Sequence, residues 1–469
     1  MNILALSNRA EYGYKYPMAS LYLTSSFHRL ITALSLSLLV GTAPAYAQSA
    51  QPQIIRDAEI ERLMLDYAKP ILAAAGIKGK TEIILVNDPS FNAFVDGRRI
   101  FINTGTIMMA KTPNEVIGVI AHETGHLAGG HQQKLRDQLE AASKMATIAA
   151  VVGMGATVAG AASGNGEIAQ AGSGIAAGSA EIARRSVLAY QRTEEITADR
   201  SAVTYLNATG QSAKGMLTTF KRFQSSLALS GAHIDPYQIS HPLPRDRIAN
   251  LETLAHESKY FDVKDSPELQ ARHDRARAKI AAYGGGPATV KRLFRDDPKN
   301  SGAVYGDALN ALLHGTPKSA LTKVNALIKK DPNNGYYYEI RGDVLMKLNK
   351  PADAAKSYRT ALKLDPGKNS TIQAALGQAL LSSGDAKGAV KELSQALQGD
   401  KSNGLAYEYL ARAYGQLGKI SEAELATAEM NFQQGNINDA RIFAARAQRG
   451  FKRGSPNWLR AGDILKAGS

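Results

Sequence analysis

A 34-residue period in the second half of the chain is the feature that most constrains its fold. Asp-Pro pairs recur at Asp297-Pro298, Asp331-Pro332 and Asp365-Pro366, each 34 residues after the one before. A unit of this length accommodates two antiparallel helices, and proline ends the second one because it cannot extend the hydrogen-bond ladder. Such units bury their apolar faces only by stacking on one another, so the period predicts an α-solenoid.

The clearest repeat begins near Gly335 and has the residue spacing of the tetratricopeptide repeat. The residues that match the repeat's pattern of small and large side chains are Tyr338, Gly342, Leu345, Ala354, Tyr358, Ala361 and Pro366. Further units begin near Ser370 and Gly404, and a degenerate one near Ser301. We therefore assign 266–469 to a tetratricopeptide-repeat domain, whose concave face is of the kind that binds peptides.

The first half of the chain contains the motif His122-Glu123-Thr124-Gly125-His126 at the end of an apolar run. Two His four residues apart lie on one face of a helix, so both imidazoles reach the same point in space. A zinc ion held there keeps one position for water, and Glu123 can accept the proton of that water. The motif predicts a hydrolytic centre with one Zn²⁺ per chain.

Candidates for the third ligand lie further along the chain. Glu195 and Asp199 are four residues apart in a segment of helical composition, so their carboxylates share a face. One can bind zinc while the other accepts the free ring N–H of a ligand His. His131 competes for the role, because the sequence after His126 half-resembles the metzincin motif. It comes one residue too early, which disfavours that class.

Two β-rich runs follow a predicted strand at 81–86. The runs 91–95 and 99–103 flank an Asp96-Gly97 pair, which is a hairpin signal. The first half of the chain is thus predicted to contain a small β-sheet among helices.

His241 precedes Pro242, a context that predicts a loop or a helix entrance. If this segment reaches the zinc, His241 could donate to the oxyanion or occupy the fourth zinc position until it is displaced. A structural His at the surface is the alternative. Arg247, six residues on, could pair with a carboxylate near the site.

Three motifs together resemble the BepA/HtpX branch of gluzincin peptidases: His122–His126, Glu195-x-x-Ala198-Asp199, and His241-Pro242 followed by Arg247. The resemblance extends from about Glu59 to the C-terminus. It implies an α+β, mainly helical fold, in which a zinc peptidase domain over 48–265 with a small sheet precedes the repeats.

The same resemblance implies the roles of the site residues. The zinc ligands would be His122, His126 and Glu195, and Glu123 would be the general base. Asp199 would orient a ligand His or assist proton transfer. In the resembling family a strand like Asn92-Ala93-Phe94 edges the cleft, where a peptide could add by main-chain hydrogen bonds.

The N-terminus predicts export. A basic pair, an apolar stretch over 30–40 and the sequence Ala45-Tyr46-Ala47 are typical of a cleaved signal peptide over 1–47, with Met1 or Met18 as its start. The expected location is the periplasm. The chain has no Cys, which excludes a disulfide framework and a thiolate zinc site. Its net charge of +14 is scattered, so an anionic membrane surface or acidic partners are expected, and nucleic acid is not.

An Ala- and Gly-rich stretch over 141–180 separates the zinc motif from Glu195. Ala and Gly insert weakly into lipid. We expect a mobile helical insertion that flanks the cleft or contacts lipid, with a transmembrane helix over 145–162 as the alternative.

The sequence thus predicts an exported zinc endopeptidase, and the resemblance implies misfolded or stalled envelope proteins as its substrates. Its repeats would recruit substrates or the outer-membrane assembly machinery. Two alternatives are a chaperone-like repeat protein with a latched zinc site, and an inner-membrane zinc protease anchored by 145–162. Because repeats stack chiefly on one another, we expect removal of 301–469 to spare zinc binding and cleavage of short peptides.

Overall fold

A small mixed sheet and a long series of helices make up the computed structural model, which describes residues 53–230, 241, 245–365, 367 and 369–467. The predicted signal peptide, Pro242 of the His-Pro pair and Pro366 of the repeat lie outside the described residues. The expectation of a mainly helical α+β fold is confirmed.

Four strands form the sheet in the order β1-β2-β4-β3. They are β1 (Ile54–Ile55), β2 (Glu82–Val86), β3 (Ala93–Asp96) and β4 (Arg99–Asn103). The strands β3 and β4 form the predicted antiparallel hairpin, and Gly97 supplies the positive φ of 59° that its turn requires. Since β4 also pairs with β2, β3 is an edge strand among the described residues.

The helices of the first half surround a central one that carries the zinc motif. Their bounds are α1 (Ala58–Ala74), α2 (Thr104–Met109), α3 (Pro113–Gly129), α4 (His131–Ala162), α5 (Gly166–Ala208), α6 (Lys214–Ser230) and α7 (Arg245–His256). Helix α3 begins with a proline, which suits the first helical turn, and is capped at its C-terminal end by Gly130, whose φ is 63°. Every residue of α3 from Pro113 to Gly125 is buried, so α3 is the core on which the site is built.

Helix α8 (Pro267–Leu293) joins the two halves of the molecule. Its Ala276 and Ile280 belong to the core around α3, whereas Ala278 and Ala281 belong to the core of the first repeat. It bends at Gly286, where φ is 67°, within the Gly-rich sequence before Pro287.

In the described part of the chain after Leu293, ten further helices form five pairs. They are α9 (Ser301–His314), α10 (Pro317–Lys330), α11 (Gly335–Lys347), α12 (Pro351–Leu364), α13 (Ser370–Ser382), α14 (Ala386–Gly399), α15 (Gly404–Gln416), α16 (Ile420–Gln433), α17 (Ile437–Gly450) and α18 (Pro456–Lys466). Successive pairs begin 33 to 35 residues apart, as the sequence period predicted. The sequence patterns had not singled out the fifth pair.

Close helix crossings explain the small residues of the repeat. A Cβ at Gly342 would lie 2.4 Å from the ring of Tyr358, and one at Gly377 would lie 2.4 Å from Leu393. Both glycines precede their large partner by 16 residues, so the same contact recurs in successive repeats. The glycine makes room for the large residue that fills the groove between the two helices.

The start of α1 is embedded in the repeats. The buried Glu59 accepts a hydrogen bond of 2.5 Å from Tyr305 Oη and another of 3.1 Å from Arg275 Nε. The buried Lys279 pairs with Asp57 at 2.8 Å. The peptidase half and the repeat half of the chain look separable in sequence. In the structure they share a buried ionic network.

Candidate metal centre

Helices α3 and α5 cross so closely that their functional side chains converge. A Cβ at Gly125 would lie 2.9 Å from the backbone oxygen of Ala198. The small residue inside the H-E-x-x-H motif and the alanine before Asp199 thus let the two backbones meet. This contact brings Glu195 to the face of α3 that carries His122 and His126.

Four buried side chains meet in a cluster that could hold a metal ion: His122, His126, Glu195 and His241. The Nε2 atom of His122 lies 3.1 Å from His126 Nε2 and 3.3 Å from Glu195 Oε2. The distance from His126 Nε2 to Glu195 Oε1 is also 3.3 Å. His241 Nδ1 lies 3.3 Å from His122 Nε2 and 2.9 Å from Glu195 Oε1.

These spacings match the edges of a small coordination tetrahedron. Zinc bonds of 2.0–2.1 Å to nitrogen and oxygen in tetrahedral geometry place neighbouring donor atoms about 3.3 Å apart. The donors are imidazole nitrogens and a carboxylate, which suit zinc and other divalent transition metals. The residues present therefore fit a metal ion of this kind.

The charge balance of the cluster also favours a cation. The carboxylates of Glu123, Glu195 and Asp199 are buried within it, and the guanidinium of Arg247 is the cation that pairs with two of them. Burial opposes the charged form of Glu195, but His241, His122 and His126 hold its pKa well below the usual range. A divalent ion would complete the neutralisation of these buried charges.

The ring of His122 is oriented from its far side. Its Nδ1 atom lies 2.9 Å from Asp199 Oδ1, which leaves Nε2 facing the centre of the cluster. Burial lowers the pKa of His122, but Asp199 and Glu195 outweigh that effect and raise it to about 9. Asp199 is in turn fixed by Arg247, whose Nη2 donates to Oδ1 at 2.9 Å. The ring of Phe220 lies 4.9 Å below the guanidinium.

The ring of His126 is oriented by His131, whose place in the sequence suggests only a rival ligand. His131 Nδ1 lies 2.9 Å from His126 Nδ1, on the side away from the cluster, and His131 Nε2 contacts the Glu194 carboxylate. The signal for this role was available in the sequence, since Glu194 adjoins Glu195 and His131 follows His126 by five residues.

Glu123 lies beside the cluster, and one of its carboxylate oxygens makes no hydrogen bond to the described residues. Its Oε1 atom is buried and has no hydrogen-bond partner within the part of the chain that the structure describes. Nε2 of His241 is 3.5 Å away. Burial is the largest influence on this carboxyl and raises its pKa above the ordinary value. A carboxylate with a raised pKa is the better proton acceptor.

A pocket of about 170 Å³ opens beside Glu123 and His126. Its walls include Phe94 and Val95 of the edge strand, with Leu135 and Tyr190 from the two long helices. Most of the exposed surface in the pocket is apolar, although many of its lining residues are polar, and the pocket joins the candidate metal centre directly to the edge strand β3.

The hydrogen bonds of β3 show which of its backbone groups face outward. The backbone carbonyl of Asn92 accepts a hydrogen bond from the backbone N–H of Asn103. Hydrogen-bonded pairs alternate along antiparallel strands, so the backbone groups of Asn92 and Phe94 point toward β4. The backbone groups of Ala93 and Val95 therefore face away from the sheet. The amide of Gln132 already donates to the Val95 carbonyl. The backbone N–H of Asn92 is taken by Thr106, so Asn92 offers none of its backbone groups to a peptide.

An H-E-x-x-H helix whose two His meet a glutamate from a second helix defines a metallopeptidase, and comparison with known proteins agrees. Residues 55–255 match the model of peptidase family M48. Tetratricopeptide-repeat models match residues 305–369, 341–404 and 380–449. The chain thus carries an M48 peptidase domain followed by tetratricopeptide repeats, which confirms the predicted class and architecture.

Curated relatives align with much of the chain. The "Beta-barrel assembly-enhancing protease" of Escherichia coli (strain K12) is 22% identical over 389 residues, covering 81% of this chain and 77% of that protein. The "Putative beta-barrel assembly-enhancing protease" of Vibrio cholerae serotype O1 is 27% identical over 302 residues, covering 62% and 60%.

Solved structures align with low scores. "Crystal structure of MamA" has a TM-score of 0.28 at 21% identity and covers 34% of this chain and 90% of that one. A tetratricopeptide repeat protein from Parabacteroides merdae has a TM-score of 0.28 at 12% identity and covers 53% and 97%. The assignment accordingly depends on the sequence matches and on the site.

Proposed function

We propose that this chain is an exported zinc-dependent endopeptidase that cleaves misfolded or stalled proteins of the cell envelope. The observation that carries the proposal is the spacing of 2.9 to 3.3 Å among the donor atoms of His122, His126, Glu195 and His241, the spacing that a tetrahedral zinc site requires. In this proposal His122, His126 and Glu195 hold the ion. When bound, zinc lowers the pKa of a water ligand and polarises a carbonyl.

The side chains around the cluster transfer protons and position the ligands. Glu123 takes the proton of the attacking water and returns it to the leaving amine, because its orphaned oxygen points into the site. Asp199 holds the ring of His122, and Arg247 holds Asp199. Burial of this network keeps bulk water away from the reacting groups and strengthens their interactions.

His241 acts as a latch in this proposal. Its Nδ1 atom lies among the ligand atoms, in the position that a water or a substrate carbonyl must occupy for hydrolysis. Displacement of His241 by a bound substrate would open the site. The same observation favours a second candidate function, a chaperone-like repeat protein whose zinc site stays closed.

Substrates bind as an added strand beside β3. The outward backbone groups of Ala93 and Val95 can pair with an extended peptide, and Phe94 borders the apolar pocket next to Glu123. Main-chain pairing makes few demands on sequence, which suits an enzyme that removes unfolded chains. Gln132 must release the Val95 carbonyl first.

The repeats select what reaches this site. Stacked helix pairs offer a concave surface for extended or helical segments. The printed names of the relatives refer to β-barrel assembly. We accordingly propose misassembled envelope proteins as substrates, the outer-membrane assembly machinery as a partner, and the periplasm as the location.

Zinc analysis combined with proteolysis tests the proposal. We expect the purified chain to hold one zinc and to cleave an unfolded test protein. Glu123→Gln should keep the zinc but lose activity by at least about 10²-fold, because the amide cannot accept a proton while the ligands stay intact.

Glu140→Gln is the matched control, since Glu140 is an exposed carboxylate in α4. It should leave both zinc content and activity unchanged. Undiminished hydrolysis by Glu123→Gln would remove Glu123 from its role as the base. Zinc binding without hydrolysis in every variant, including His241→Ala, would favour the chaperone-like function.

A further inference from the structure

Helices α4 and α5 form a long antiparallel hairpin that rises from the metal centre. At its base, His131 of α4 and Glu194 of α5 contact each other next to His126. At its far end, the turn around Gly164 has a φ of 68° and Asn165 caps the start of α5. The segment from Met145 to Ala180 carries a single charged residue, Glu167, close to the turn.

Small residues line the seam between the two helices. Gly153 and Gly160 are the buried residues of the outer part of α4. A Cβ at Gly160 would lie 2.4 Å from Ala169 N, and one at Gly172 would lie 2.5 Å from Gly153 O. The helices therefore touch backbone to backbone, as helices packed within membranes commonly do.

Large apolar side chains point away from this seam. Their exposed fractions range from 48% to 70% in the set Met145, Ile148, Val151, Val152, Met154, Val158, Ile175 and Ile182. A hairpin built for water places its large apolar residues in the seam and small or polar ones outside. This hairpin has the reverse arrangement, which is stable where the surroundings are themselves apolar.

The length and the apolar character of α4 match the hydrocarbon core of a lipid bilayer. The 18 residues from Met145 to Ala162 span about 27 Å of helix, close to the hydrocarbon thickness of about 30 Å. Among the described helices, His131–Ala162 alone is long and apolar enough to cross a membrane, and only 11% of the residues in its most apolar stretch are buried.

The charges at the base of the hairpin favour anionic lipid. Residues 131–144 and 181–194 carry six basic side chains (Lys134, Arg136, Lys144, Arg184, Arg185 and Arg192) and four acidic ones (Asp137, Glu140, Glu181 and Glu194), a net charge of +2. Basic side chains next to an inserted apolar segment are attracted to anionic headgroups.

We propose that the outer half of the α4–α5 hairpin, residues 145–180, inserts into an anionic lipid bilayer. The basic side chains near the metal-centre end of the hairpin then lie at the lipid headgroups. His131 is 14 residues from Met145, so it lies about 21 Å along the helix from the start of the inserted segment. The proposal does not depend on the proposed proteolysis, because lipid binding can be measured without it.

Vesicle binding by the full chain tests this proposal. We expect the protein to co-float with phosphatidylcholine vesicles that contain 30% phosphatidylglycerol, and to bind pure phosphatidylcholine less. Replacing Val151 and Val152 by Glu should lower the partition coefficient by at least about 100-fold, because a charged side chain in the hydrocarbon is strongly disfavoured. Thermal unfolding without lipid should stay unchanged, since both side chains are exposed.

Ile420→Glu is the matched control, because Ile420 is an apolar side chain of similar exposure, 59%, on the repeats. It should bind vesicles as the wild type does. Because the chain has no Cys, Val151→Cys and Ile420→Cys can each carry one environment-sensitive fluorophore. The emission should shift to the blue on vesicles for the first label alone.

Three results would overturn the proposal. The wild type could stay in solution with both kinds of vesicle, or the Val151/Val152 variant could bind as tightly as the wild type. A third result is a lipid-free dimer that the same double substitution abolishes while vesicle binding is absent. That outcome would assign the surface to a second copy of this chain.

Discussion

The side chain of His241 lies next to Glu123, in the space that the carbonyl group of a peptide substrate would have to occupy. The distance between His241 Nε2 and Glu123 Oε1 is 3.5 Å, and His241 Nδ1 is within 3.3 Å of His122 Nε2. With zinc bound as we propose, a side chain in this position would exclude water from the fourth ligand position. Its removal therefore separates two roles that the sequence had left open.

We predict that His241→Ala raises basal peptide hydrolysis, because it frees the position in which water must bind. A donor to the oxyanion would behave oppositely, and its loss would lower kcat by about 10²–10³-fold. Measuring kcat at matched zinc content decides between the two. An unchanged rate would remove His241 from the site altogether.

His131 contacts His126 at 2.9 Å, and we propose that it orients this candidate ligand, so its loss should weaken metal binding without removing a ligand. We expect His131→Ala to lower metal affinity by about 10- to 100-fold, the usual effect of losing a partner that orients a ligand. Competition with a chelator measures this directly. The exposed His256, which lies against Phe261, supplies the control His256→Ala, and equal affinities for the two variants would contradict the assignment.

At the scale of the elements, close contact between helices depends on single missing side chains. Gly125 brings α3 against α5 and thereby assembles the metal centre, while Gly342 and Gly377 admit Tyr358 and Leu393 in the repeats. In each case a glycine that costs helix propensity permits a contact that larger residues would prevent.

We predict that Gly342→Ala destabilises the chain by about 1–3 kcal/mol, because the added methyl group overlaps the ring of Tyr358. Gly415→Ala in α15 is the matched control, since a Cβ there meets no atom within 4 Å. That change should be neutral or stabilise by up to about 1 kcal/mol. Urea unfolding of both variants checks the difference, and equal midpoints would argue against the close crossing.

At the scale of the whole molecule, the ionic network between α1 and the repeats changes the expectation of separable modules. Glu59 of α1 depends on Tyr305 of the first repeat, and α8 divides its apolar residues between two cores. Removal of the first repeat would leave a buried carboxylate short of a partner and would expose apolar surface of α8.

We therefore predict that a chain ending at Asn300 loses about 3 kcal/mol or more of stability and a matching share of its zinc. A chain ending at Asn403 retains Tyr305 as well as Asp400, which pairs with Arg56, and should keep both zinc and cleavage of short peptides. Thermal unfolding and zinc content of the two truncated chains provide the test. Equal stability would restore the view that the peptidase domain is independent.

The sequence by itself determined the features that depend on local periodicity. The four-residue spacing of His122 and His126, the turn at Gly97 and the 34-residue period each specify a shape within one or two elements, since helix and strand geometry is fixed by the backbone. From such patterns the metallopeptidase class, the hairpin and the repeats were all predicted correctly.

Tertiary packing alone decided which distant groups meet. His241 lies 119 residues from His122, and Tyr305 lies 246 residues from Glu59. No local pattern encodes such distances, because they depend on how whole helices cross. The orientation of His126 by His131, the convergence of the four candidate ligand side chains and the joint between peptidase and repeats follow from those crossings. The positions of the crossings are set by close packing of buried side chains.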